Sequence, residues 1–148
     1  MLRTMRNGFL VALLATALAM AQEPAAPAAY TPRFPGDPAH SQSEAIALGY
    51  IHTLVTAQKL YLKKHTRYAP SLYALAQLGS GSFTRRMAKT DRGDYTVVYH
   101  PGEKKYALQL DPKTYDAQHR AFWVNENGIV HVEGDHPATE DSPVLRPD

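Results

Sequence analysis

The sequence predicts an α+β domain in which a long N-terminal amphipathic helix packs on a four-stranded antiparallel sheet. Three observations carry this. A proline-free stretch over 44–65 repeats apolar residues every three or four positions. From residue 94 the apolar period drops to two, as in strands with one buried face. Asn127-Gly128 then separates two alternating runs, a strong hairpin signal because both residues tolerate positive φ. The sheet needs a cover for its Tyr, Leu and Val face, and only the long helix is large enough to supply one.

Taken in chain order, the N-terminus has the pattern of an export signal. Arg3 and Arg6 give a positive start, 9–20 (FLVALLATALAM) is uncharged and mostly apolar, and Ala19-Met20-Ala21 is a small-x-small cleavage site. The apolar run is shorter than the roughly 20 residues that span a bilayer, and Pro24 follows closely. The expectation is a signal peptide over 1–21, cleaved after Ala21, and an extracytoplasmic protein, periplasmic or secreted, with no stable membrane span afterwards. Residues 22–40 hold five prolines and five alanines in 19 positions and are expected to form a disordered tether, with Tyr30 and Phe34 able to dock.

The domain is expected over 41–148. Ser41-Gln42-Ser43-Glu44 fits a capping box, in which the Ser oxygen accepts an early amide and Glu44 reaches back. Ala47, Ile51, Leu54, Gln58, Tyr61 and His65 form one face of the helix, widened by Leu48, Val55 and Leu62. Lys59, Lys63 and Lys64 lie elsewhere, near the C-terminal end that favours cations. Tyr68-Ala69-Pro70-Ser71 breaks this helix. Pro70, at a first helical position, then opens a short second helix carrying Leu72, Leu75 and Leu78. Residues 80–94 are rich in Gly, Ser and charge and are expected to form a long loop. Strands are expected over 94–100, 105–110, 119–125 and 129–133, with an irregular tail from Gly134.

Composition narrows function. A chain of 148 residues fits one modest domain with processing or linker sequence and excludes a large multidomain enzyme. The absence of cysteine removes disulfides, thiolate metal sites and a Cys nucleophile together. Formal net charge is +2 and falls to zero once Arg3 and Arg6 are removed, so overall charge does not point to a nucleic-acid partner.

Residues 51–61 (IHTLVTAQKLY), then Tyr68-Ala69-Pro70-Ser71-Leu72 and Leu75, resemble the "TAQ…Y…GYAPSLxxL" region of bacterial type IV pilin-like and pseudopilin-like proteins. Residues 122–130 (FWVNENGIV) resemble their "FF-x-D-x-x-G-x-I-R" hairpin, and Ala138-Thr139 with 142–145 (SPVL) resemble their "PAT…SPPL" ending. The resemblance implies a non-enzymatic head domain acting by protein–protein contact, in association with a type IV pilus or type II secretion apparatus. It departs at the N-terminus. Gly8-Phe9 imitates a prepilin start, but the fifth residue from Phe9 is Leu13 where assembled pilins carry Glu, and prolines divide the apolar run from the helix. The expectation is therefore a soluble pilin-like head rather than an ordinary filament subunit.

No enzyme motif is present: there is no HExxH, GxSxG, GxxxxGK[ST] or GxGxxG. The seven histidines lack helical i, i+4 metal spacing, and His119 with His136 is a guessed pair only. Asn125, Glu126 and Asn127, with Asp111, Asp116 and Glu133 nearby in sequence, offer oxygen ligands suited to calcium, which some pseudopilins bind as the resemblance implies; a plain turn is the preferred reading. No metal, cofactor or catalytic residue is assigned. Arg85, Arg86, Lys89 and Arg92 form a basic loop, which gives the alternative function of an extracytoplasmic anion- or nucleic-acid-binding module. Phe122 and Trp123 point to opposite faces of their strand, so one is expected at the surface. The candidate partner surface is Phe122, Trp123, Arg85, Arg86 and Arg92.

Overall fold

The computed structural model describes residues 29–79 and 81–147. The expected signal segment over 1–21, its cleavage after Ala21 and the first part of the tether lie outside the described residues.

Helix α1 spans Gln42–His65 and starts where the capping chemistry requires. Ser41 is the extended N-cap, and its Oγ accepts from the Glu44 amide at 3.1 Å. Glu44 reaches back one residue further than a capping box does, accepting from the His40 amide at 2.8 Å. The helix stops at Thr66, a left-handed C-cap (φ 59°, ψ 14°) whose amide donates to the Leu62 carbonyl. Helix α2, Leu72–Ala76, is capped by Ser71, whose Oγ accepts from the Ala74 amide at 3.1 Å. Pro70 thus precedes the cap instead of opening the helix, because Ser71 supplies the oxygen that the first turn needs.

The sheet has five strands rather than four, all antiparallel in sequence order: β1 Asp91–Arg92, β2 Tyr95–His100, β3 Ala107–Pro112, β4 Ala121–Asn125 and β5 Val130–Glu133. The extra strand arises inside the stretch expected to be loop. Gly93 takes φ 72°, which lets the chain reverse so that Arg92 pairs with Tyr95 and Asp91 with Thr96. The β4–β5 turn follows the Asn-Gly signal, with Gly128 at φ 74° and Asn125 Oδ1 accepting from the Asn127 amide.

Register sorts the side chains into cross-strand rows. Val97, Leu110, Phe122 and Val132 lie side by side on one face, as do Tyr99, Leu108, Val124 and Val130. These residues share one hydrophobic core with Tyr50, Ile51, Leu54, Ala57 and Tyr61 of α1 and with Leu72 and Leu75 of α2. The fold is α+β, with helix and sheet meeting through that core.

Two polar anchors cross it. Glu44 is fully buried, and its carboxylate accepts from the Arg120 side chain through Nε at 3.0 Å and Nη2 at 2.8 Å, as well as from the Arg120 amide. Arg120 also donates to the Pro38 carbonyl at 2.6 Å. Further along α1, buried Gln58 accepts from the Ala69 amide at 3.0 Å and donates to the Tyr99 hydroxyl, which donates onward to the Ala69 carbonyl. Residues 29–40, expected to be a free tether, are tied to the domain. Asp37 and Ala39 are buried, and the Tyr30 hydroxyl donates to Asp37.

Removing one partner of the Glu44–Arg120 pair leaves the other without compensation away from water. Glu44→Gln and Arg120→Ala are each expected to lower unfolding free energy by about 3–5 kcal/mol. Urea denaturation of the two variants and of the double variant checks this: the double variant is to lose clearly less than the sum.

Candidate functional site

The outer face of the sheet carries the third cross-strand row, in which Val98, Gln109, Trp123 and His131 lie side by side across β2 to β5. No helix covers it among the described residues. Trp123 is half-buried and stands edge-on to His131, ring centroids 5.3 Å apart, while Val98 is exposed. His131 is held by the Ser142 carbonyl at 2.6 Å. Within the row, Gln109 donates to both oxygens of Asp111, whose carboxyl burial nonetheless pushes up. The face therefore offers an aromatic centre with a polar, hydrogen-bonded margin.

Phe122 does not join it. Its side chain is fully buried on the inner face against Tyr95, centroids 6.1 Å apart, so of the two aromatics only Trp123 is available to a partner. Alternation told the two apart but not which faced inward. That is decided by Phe122 aligning with Leu110 and Val132 in the row beneath α1.

The three candidate arginines come from one region but play different parts. Arg85 and Arg86 are exposed, whereas Arg92 is half-buried with its guanidinium 4.7 Å over the Tyr50 ring and donating to the Arg86 carbonyl. Tyr50 organises this loop. Its hydroxyl donates to the Met87 carbonyl at 3.1 Å and its ring meets buried Phe83. Arg92 is thus part of the packing that holds the loop, and the freely presented positive charge is at Arg85 and Arg86.

Two clusters merit a chemical reading. Ser43 donates to Asp94, while His119 lies 2.8 Å from Asp116 and 3.7 Å from Asp94. A serine nucleophile needs a general base, most often an imidazole, to take its proton. Here the Ser43 hydroxyl is donated to a carboxylate, and the imidazole is flanked by carboxylates. Glu133, Asp135 and His136 bring one ligand atom each within 4.8 Å of one another. The Asp135 hydrogen bond raises the His136 pKa, which favours the cationic ring that a metal ion would have to deprotonate. His119 and His136 keep separate acidic partners, and Asn125 uses its side-chain oxygen within the turn.

Comparison with known proteins finds no family model, no characterised sequence and no solved structure that matches this chain.

The aromatic lining behind the site gives a pH signature. Burial pushes the Tyr50 phenol up to about 12 against the pull of Arg92, and pushes Tyr99 up to about 12 despite the Gln58 hydrogen bond. Burial also raises Tyr95 and Tyr106 well above the ordinary value. Each phenol is held neutral in the fold and ionises near its ordinary value of about 10 once unfolded. Their stabilisation is therefore intact below about pH 10 and is lost as pH rises towards about 12. Melting temperature is expected to fall across that interval, with late phenolate absorbance coinciding with loss of tertiary circular dichroism. Phe substitution at Tyr50, which gives up only the Met87 contact, is to shallow the fall.

Proposed function

We propose that this chain is an exported, non-enzymatic pilin-like domain that acts by protein–protein contact through the outer sheet face centred on Trp123. The observation that carries the reading is the Gln58 linkage. The two stretches that resemble pilin-like proteins most closely, 51–61 and 68–72, meet through Gln58, Ala69 and Tyr99, so the resembling residues act together as one structural device. An α1 helix sharing its core with an antiparallel sheet supports the same reading, and so does a sheet face left uncovered with an aromatic residue at its centre. Among the described residues no helix is long and apolar enough to cross a membrane. A pilus or secretion apparatus outside the cytoplasm is the proposed setting.

The alternative, an anion- or nucleic-acid-binding module, rests on exposed Arg85 and Arg86. Its mark is a steep salt dependence of polyanion binding that disappears when both arginines become Gln.

Two measurements test the leading reading. Mass spectrometry of the protein recovered from the producing cell is to show a mature N-terminus at Gln22; a chain beginning at Phe9, or one retained in the cytoplasm with Met1 intact, overturns the exported soluble head. A photo-crosslinking residue at exposed Val98, in the same row as Trp123, is to give one discrete protein adduct, and the same residue at exposed Thr56 none. As a stability control, Phe122→Ala is expected to cost about 3–5 kcal/mol by opening the core. Trp123→Ala is to cost clearly less and to weaken the adduct-forming contact by more than about tenfold.

A further inference from the structure

On the opposite side of α1 from the basic loop, a groove of about 470 Å³ runs between the helix, the β4–β5 turn and residues 33–38. Ala45, Gly49 and Val55 form its helical wall, and Gly128, Val130 and Leu145 face them. We propose that this groove binds a single-chain amphiphile with an anionic head, of the fatty-acid carboxylate class.

Gly49 gives the first reason. It sits in the middle of α1, where glycine costs roughly 0.5–1 kcal/mol relative to alanine. Its φ is ordinary, and a Cβ built on it meets nothing within 4 Å, so no close packing accounts for it. What the missing side chain does is keep the groove open. At the turn, Gly128 approaches Val55, with a Cβ position 3.6 Å from Val55 Cγ1, which closes that end. Phe34, 56% exposed, stands at the rim, and exposed Ile129 and Val144 neighbour the lining residues Gly128, Val130 and Leu145 in the chain.

Shape and polarity select the ligand. From Ala45 to Val55 the helix rises about 15 Å, long enough for a medium-length acyl chain. An extended peptide laid along the same walls would leave its amides without partners in an apolar setting. The β5 backbone nearby is already engaged: Val132 donates to the Pro143 carbonyl and Leu145 to the Val130 carbonyl. An acyl chain has no polar groups to satisfy.

Charge selects the head group. Asp37, the only carboxylate on the lining, already accepts from the Tyr30 hydroxyl and from the Arg33 and Ala39 amides, which hold its pKa down. The Arg33 guanidinium acts through space on the Asp37 carboxylate and lines the groove together with His52. A cationic side chain beside an apolar slot complements a carboxylate.

Dodecanoate, kept below its micellar concentration and titrated into the full chain by calorimetry, is the probe. One saturable site is expected, with dodecyltrimethylammonium binding at least about tenfold more weakly. Gly49→Leu is to weaken dodecanoate binding by more than about tenfold while the thermal transition stays at or above that of the parent chain. Arg33→Gln is to weaken dodecanoate but leave dodecanol unchanged, and Trp123→Ala is to leave both unchanged, so failure here is distinct from failure of the sheet-face reading. Absence of saturable binding, equal binding of the cationic amphiphile, or unaltered affinity in Gly49→Leu overturns the proposal. Self-association abolished by Gly49→Leu without dodecanoate uptake overturns it in favour of a second copy of the chain.

Discussion

A carboxylate taken wholly out of water has to be met by donors, and the structure is arranged around that requirement at Glu44. Its two oxygens receive the His40 amide, the Arg120 amide and two nitrogens of the Arg120 guanidinium, while Arg120 also binds the Pro38 carbonyl. One ion pair therefore sets the helix start, the entry of β4 and the path of residues 29–40. An ion pair of this kind is weak evidence for net stability, since its desolvation offsets much of the attraction. Its value is positional. An apolar pair of similar volume would fill the space but would not fix which residue at the entry of β4 lies opposite the first turn of α1.

Gln58 fills the corresponding place nearer the far end of the helix. A glutamine on an apolar helical face looks like a defect until its partners are known: it receives the Ala69 amide and reaches the Tyr99 hydroxyl, which closes the triangle at the Ala69 carbonyl. The α1–α2 connection and β2 are thereby registered against the same helical turn. Among the described residues, no buried side-chain nitrogen or oxygen lacks a partner. Satisfied networks of this sort favour one arrangement of the core over near neighbours. Between the two anchors the helix meets the sheet through side chains alone, where Ile51, Leu54 and Ala57 bury against the aligned strand rows.

What could be foreseen from the sequence divides along the range of the interactions. The helix, its Ser41 cap and the four longer strands are local in origin, fixed by period and turn chemistry, and they appear within a few residues of expectation. Strand β1 escaped because two residues carry no period, and its only signal was Gly93. The end of α1 at His65 matches the expected bound, whereas the left-handed cap at Thr66 carried no signal, since a β-branched residue seldom adopts that conformation. Glu44 was legible as a capping residue but not as half of an ion pair, since Arg120 lies 76 positions away. The ordering of residues 29–40 was hidden for a related reason: proline content describes local stiffness, while Pro38 is held by distant Arg120 and Asp37 folds the segment on itself through Tyr30. Of the candidate surface, parity separated Phe122 from Trp123, but only strand alignment assigned the faces. The groove, assembled from residues around 33, 49, 128 and 145, had no sequence signature beyond an unexplained helical glycine.

Sheet edges decide what kind of surface the molecule can present. An open edge recruits a partner strand by backbone hydrogen bonding, largely regardless of side chains. At one end the tail lies along β5, with Val132 and Leu145 amides bonded across and His131 bridged to Val144. At the other end β1 is only two residues long, and the Thr90 carbonyl extends it just far enough to accept from Val97. Little edge backbone remains for strand addition. Recognition by the sheet then has to come from side chains on its outer face, where a partner is chosen by shape and polarity, and the row from Val98 to His131 is the broadest such surface that the strands build. The same tail that blocks the β5 edge contributes Leu145 to the groove beside α1. Sealing the edge and shaping the cavity are thus one packing event, so truncation before residue 143 would alter both together.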